Sequence, residues 1–180
     1  MDDERIPFQA TIGGAVYDGI ARLPVTLLLD NIRSLYNVGS LFRTADAAAV
    51  ERLVLSGFTG RPPHRGIEKT ALGAEATVPW EAAQSGFDAV REYRSRRYEI
   101  AALETSVRSV DLFDWSPRFP VLLVLGNEVE GMGQEILEMA DTHVRIPMLG
   151  IKHSLNVATA AGIAVYELLR KYRVMAEGAR

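Results

Sequence analysis

The sequence contains no cysteine. That excludes a disulfide framework, thiolate metal sites and a cysteine nucleophile, and it fits an intracellular chain. Histidine is nearly as scarce: His64, His143 and His153 are too scattered to give metal-ligand spacing, so no metal is expected. No apolar run approaches the roughly 20 residues of a membrane-spanning helix. The acidic start Met1-Asp-Asp-Glu-Arg5 has no apolar segment behind it, so neither a secretory leader nor a membrane anchor is expected, and the cytoplasm is the expected compartment. Positive charge is not in excess either, since 20 Lys and Arg against 23 Asp and Glu leave a net charge of −3. Coating of nucleic acid through bulk electrostatics is thereby excluded, and any such contact must be local. Neither G-x-G-x-x-G after a strand nor G-x-x-x-x-G-K-[ST] occurs, so the dinucleotide fingerprint and the P-loop both lack their sequence basis.

What is present is an alternation of apolar strands and amphipathic helices. Residues 1–23 carry no clear period and read as an irregular arm, with one domain expected over 24–180. Residues 24–29 read as the first strand. From Asn37, a candidate helix N-cap, Val38, Leu41, Phe42, Ala45 and Ala49 form one apolar stripe that leaves Arg43 off the core face. Residues 52–56 read as a second strand, so the unit is the crossover of a parallel sheet. Residues 57–66, with their glycines, prolines and cations, read as a basic loop; Arg61, Arg65 and the nearby Lys69 are candidate RNA-backbone contacts. Residues 86–97 are expected to be helical, with Arg91, Arg94 and Arg97 on a solvated side. A third strand is expected over 98–103 and a connection over 107–117.

The last third organises the rest. Residues 119–125 form a continuous apolar run, the pattern of a strand buried on both faces, and stop at Gly126-Asn-Glu-Val-Glu-Gly131. A shorter run, 142–146, ends at Pro147-Met-Leu-Gly150, after which Ser154 is the expected N-cap of a long helix whose stripe is Val157, Ala161, Ala164, Val165, Leu168 and Tyr172. Glu167 and Lys171 form a favourable i, i+4 pair. Loops at the carboxyl ends of neighbouring strands are where open α/β sheets bind ligands.

Three polar clusters follow apolar strands: Asn37 with Arg43, Asn127 with Glu128, and Ser154 with Asn156. Taken singly, each has a plain explanation as a cap, a turn residue or a surface charge. In order, Asn37-Val-Gly-Ser-Leu-Phe-Arg43-Thr-Ala, Leu125-Gly-Asn-Glu128-Val-Glu-Gly131 and Ile146-Pro-Met-Leu-Gly150-Ile-Lys-His-Ser154-Leu-Asn156 resemble the three motifs of the SpoU (TrmH-like) branch of the SPOUT RNA methyltransferases. The resemblance spans roughly residues 24–172.

It implies an α/β fold, a mostly parallel sheet flanked by helices, with a carboxyl-terminal trefoil knot. It also implies S-adenosyl-L-methionine as cofactor, a homodimer, and methyl transfer to a ribose 2′-hydroxyl of RNA, with tRNA favoured over rRNA. By motif, the catalytic set would be Asn37, Arg43, Glu128, Ser154 and Asn156. Leu125, Gly126, Asn127, Gly131, Ile146, Met148, Gly150, Ser154 and Leu155 would hold the cofactor. Because a guanidinium is a poor proton acceptor, Arg43 is expected to clamp phosphate and stabilise the developing alkoxide. The base stays open, with Glu128 either taking the proton or orienting Arg43. The alternative is a non-catalytic RNA-binding or assembly module that keeps the fold.

Overall fold

A Leu-rich strand with no polar face can be stable only at the centre of a sheet covered on both sides. In the computed structural model, which describes residues 20–178, two such strands lie side by side. Strand β1 (Leu23–Asp30) pairs in parallel with β6 (Val121–Leu125), Leu29 opposite Leu125. Five further strands complete the sheet: β2 (Val50–Ser56), β3 (Trp80–Ala83), β4 (Glu99–Leu103), β5 (Val110–Asp111) and β7 (Thr142–Arg145). Their order is β3-β2-β1-β6-β4-β7-β5, and every pairing is parallel.

Alternation along the strands divides the core into two layers. Val25, Leu27 and Leu29 of β1 with Val121, Leu123 and Leu125 of β6 face helices α1 (Leu35–Ala47), α2 (Arg65–Ala71), α3 (Ala74–Thr77) and α6 (Val157–Gly178). Leu28, Leu122 and Val124 face α4 (Gly86–Ser95) and α5 (Gln134–Met139). The expected parallel α/β sheet is therefore present. Strands β6 and β7 are each inserted between strands that precede them in sequence, an order compatible with the knot the resemblance implies. No helix of the described residues is long and apolar enough to cross a membrane.

Several boundaries and roles differ from the sequence reading. Helix α1 is capped by Ser34, whose hydroxyl accepts from the Asn37 amide at 3.3 Å. Asn37 therefore lies inside the first turn, and its side chain is available for another partner. Asn156, not Ser154, caps α6: its Oδ1 accepts from the amides of Ala158 at 2.9 Å and Thr159 at 3.3 Å. The loop over 57–66 runs into α2, which His64 caps by accepting from the Gly66 amide. Helix α4 ends at Ser95, so Arg97 falls outside it with φ 66°, and Arg94 donates to the Met139 carbonyl at 2.7 Å.

Strands β3 and β5 were not expected. Both are short edge strands whose residues carry little alternation. The 107–117 connection is tied to α6 by Lys171, whose ammonium donates to the carbonyls of Leu112, Phe113 and Trp115 and lies 3.5 Å from Glu167. Glu167 is engaged chiefly by Arg170, at 2.7 and 2.8 Å. The residues expected as the first 23 of the chain lie almost entirely outside the described range.

The central position of β6 is testable. Leu123→Ala should cost about 2–5 kcal/mol in urea denaturation, because a fully buried leucine leaves a cavity. Val129→Ala, at a residue 77% exposed, should stay within about 0.5 kcal/mol of wild type. Equal losses would contradict the layering.

Candidate active site

The carboxyl ends of β4, β6 and β7 open onto a cavity of about 400 Å³. The loop after β6 contributes Leu125, Gly126, Asn127, Glu128 and Gly131; the segment after β7 contributes Ile146, Met148, Ser154, Leu155 and Asn156. Eight of the nine expected cofactor residues line it. Gly150 does not: it stands in the exposed part of the 147–156 segment, outside the lining. The structure adds Leu103, Glu104 and Thr105 at the end of β4, which belong to none of the three motifs. Only the sheet order, with β4 between β6 and β7, identifies them.

The first loop is closed on itself. The amides and carbonyls of Asn127 and Gly131 bond reciprocally at 3.0 Å each. Gly131 is at φ 73°, and a Cβ on Gly126 would lie 2.8 Å from the Gly131 carbonyl carbon, so both positions demand glycine. The side chain of Asn127, 8% exposed, is occupied by bonds within the loop and to the segment after β1. Its Nδ2 donates to the Asn31 carbonyl at 2.8 Å, and its Oδ1 accepts from Val129 and Glu130. It therefore shapes the loop and offers the cavity backbone alone.

A polar series links the three motif segments. Glu128 accepts from Asn37 Nδ2 at 2.9 Å, from the Arg33 amide at 3.1 Å and from the Ser34 amide at 3.3 Å. Asn37 Oδ1 in turn accepts from Asn156 Nδ2 at 3.1 Å. Burial pushes the Glu128 carboxyl up, but the Arg33 amide, the Asn37 carboxamide, its own amide and the Ser34 amide together hold it below the usual carboxylate range. A carboxylate so held, accepting three bonds from the α1 entry, is a poor proton acceptor. Its bonds tie the 126–131 loop to the entry of α1. Ser154, exposed, is among the residues that line the cavity.

Arg43 is not in that cavity. It is exposed on α1, six residues and so roughly 9 Å of helix rise beyond Asn37. There it lines a second concavity with Ser40, Thr44, Lys69, Thr70 and Tyr166. Within one chain the structure therefore brings Glu128, Asn37, Ser154 and Asn156 together and leaves Arg43 apart. The basic loop is divided in the same way: Lys69 joins Arg43, Arg65 begins α2, and Arg61 reaches the Ala83 carbonyl at 3.5 Å. His143 is buried and bonded to Ser106 Oγ and the Leu137 carbonyl. Among the described residues no group of three or more His, Asp or Glu could hold a metal ion.

The ionised state of Glu128 sets a pH signature. A depressed folded-state pKa means its contribution is full above the unfolded value of about 4.3 and lost as pH falls through the folded value. Glu128→Gln should be less stable than wild type in urea at pH 7, and the gap should close as pH drops below about 4. A gap that persists undiminished in acid would contradict the assignment.

Residues 24–166 match the model of the SpoU rRNA Methylase family. The chain is 32% identical over 158 residues to the 23S rRNA (guanosine-2′-O-)-methyltransferase RlmB of Ralstonia nicotianae, covering 88% of this chain and 63% of that protein. It is 33% identical over 144 residues to the tRNA (guanosine(18)-2′-O)-methyltransferase of Aquifex aeolicus, covering 79% of this chain and 67% of that protein. Among solved structures, the A. aeolicus TrmH/SpoU tRNA modifying enzyme superposes with a TM-score of 0.77 at 30% identity, covering 88% of this chain and 80% of that one. The methyltransferase AviRb of Streptomyces viridochromogenes in complex with AdoMet gives 0.77 at 26% identity, covering 87% and 63%. The chain spans about 63% of the length of the first curated relatives it matches. With the family model matched over most of the chain, two of the motif segments lining one cavity and the third bonded to them through Asn37, this protein belongs to the SpoU rRNA methylase family.

Proposed function

We propose that this chain transfers a methyl group from S-adenosyl-L-methionine to a ribose 2′-hydroxyl of RNA, tRNA in preference to rRNA, as a cytoplasmic homodimer in which residues 24–180 act as one unit. The observation that carries the reading is the hydrogen-bonded series Glu128, Asn37, Asn156 at the mouth of a 400 Å³ cavity. That volume and its walls suit a nucleoside-sized cofactor: Leu125, Ile146, Met148 and Leu155 are apolar, and loop backbone supplies polar groups. The AdoMet bound to AviRb and the tRNA substrate of the Aquifex relative support the same reading.

When bound, S-adenosylmethionine supplies an electrophilic methyl on a sulfonium. The chain's part is to hold the incoming hydroxyl in line, take up its proton and exclude water. Asn37 and Asn156 fix the two segments that flank the approach, and Ser154 offers a hydroxyl to the nucleotide or to the cofactor carboxylate. Glu128, held ionised, keeps Asn37 in place and does not take the proton. Arg43 would stabilise the alkoxide electrostatically and, with Lys69, grip phosphate.

A second copy would bring Arg43 to a cavity. Leu149 and Ile151 are 100% and 92% exposed, Ile163 on α6 is exposed as well, and Tyr166 lines the Arg43 concavity. These exposed apolar side chains would supply an association surface. In such a dimer each Arg43 would serve the partner's cavity.

Incubation of the protein with labelled cofactor and bulk tRNA should yield 2′-O-methylated nucleosides; methylation confined to a base would overturn the reaction. Arg43→Ala should lower turnover by roughly 100-fold or more while leaving affinity for S-adenosylhomocysteine unchanged. Mixing Arg43→Ala with Asn156→Ala chains should restore part of the activity, whereas no restoration would exclude a site shared between protomers.

A further inference from the structure

Glu104 stands at the carboxyl end of β4 and lines the cavity, yet it belongs to none of the three motif segments. Its side chain is half-buried. Oε1 accepts from the Thr105 amide at 2.9 Å, which fixes the carboxylate's direction. Oε2 accepts no hydrogen bond among the described residues, and no described basic side chain pairs with it. That oxygen lies against the glycine loop: a Cβ on Gly131 would be 3.2 Å from it.

A ligand that fills the cavity strips water from Oε2. Leaving a desolvated carboxylate oxygen without a donor is costly, so the ligand group placed there must donate hydrogen bonds or carry positive charge. Position selects between these. In the sheet β4 lies between β6 and β7, so Glu104 is flanked by the Gly126 loop on one side and by the Ile146 segment on the other. It thus stands between the two loops that wall the cavity, with Oε2 turned toward the Gly131 side. In a cofactor built as adenine, ribose and methionine the middle piece is the ribose, whose vicinal diol offers two donors to one carboxylate. An acid at a strand's carboxyl end that accepts from a ribose hydroxyl is also a recurrent solution in parallel α/β sheets.

We infer that Glu104 is a specificity-determining residue whose carboxylate accepts hydrogen bonds from the ribose diol of the cofactor. The inference rests on the methyltransferase reading above. It goes further by naming the group that selects an intact ribonucleoside.

Calorimetry on the full chain tests it with three ligands: S-adenosylhomocysteine, 5′-methylthioadenosine, which lacks the amino-acid portion, and 5′-methylthio-2′,3′-dideoxyadenosine, which also lacks the diol. Glu104→Gln, which keeps shape and an acceptor for the Thr105 amide, and Glu104→Ala should melt cooperatively as wild type does. Both should bind the first two ligands weaker by a common factor of about 10 or more, the scale of a hydrogen bond to a charged group. For the dideoxy ligand the difference between wild type and variants should vanish, a pattern that general damage to the cavity would not produce. A loss with S-adenosylhomocysteine but not with 5′-methylthioadenosine would overturn the inference in favour of contact with the amino-acid ammonium. Unchanged affinities would overturn it outright. Wild-type protein that binds none of the three ligands would instead remove the methyltransferase reading itself.

Discussion

The Glu128 carboxylate is the constraint on which the rest of the site depends. It accepts from the Arg33 and Ser34 amides at the entry to α1 and from the Asn37 side chain 91 residues away in sequence. Asn37 then reaches a further 119 residues along the chain to Asn156, the cap of α6. One anion thus positions the start of one helix and, through a single carboxamide, the start of another. Hydrogen bonds to an ionised acceptor are generally stronger than neutral ones. That explains why three distant segments can share a site without a metal or a disulfide between them.

The sheet supplies the platform. With β6 between β1 and β4, and β7 between β4 and β5, the carboxyl ends of strands far apart in sequence come to one edge. This is the crevice in which open parallel sheets bind their ligands. The second concavity, with Arg43, Lys69 and Tyr166, sits on the α1, α2 and α6 side and is distinct from it. The fold therefore separates what would hold the cofactor from what would hold phosphate.

Much of this was legible in the sequence because it rests on local physics. The both-face burial of residues 121–125 follows from an unbroken apolar run, and the α1 and α6 stripes follow from helical spacing. Cap assignments went astray where several polar residues compete within one turn. Ser34 and Asn37, or Ser154 and Asn156, are both competent caps: at α1 the Glu128 carboxylate takes the Asn37 side chain and Ser34 caps, whereas Asn156 caps α6 through Oδ1 while its Nδ2 reaches Asn37. Glu104 could not have been found, since its importance comes from β4 lying between two strands that are made after it. The removal of Arg43 from the cavity was likewise invisible, because periodicity reports a helix face and says nothing of what that face meets.

The central position of β6 has a bearing on biosynthesis. Strand β1 is Leu-rich and buried from Val25 to Asp30, yet the edge that meets β6 has no partner until Val121 emerges to sit opposite Val25, 96 residues later. At a synthesis rate of about 5–20 residues per second, that edge stays open for roughly 5–20 seconds on the ribosome. Unpaired apolar edges of this kind recruit other chains. The nascent protein thus passes through an interval in which its own sheet does not yet cover this edge of β1.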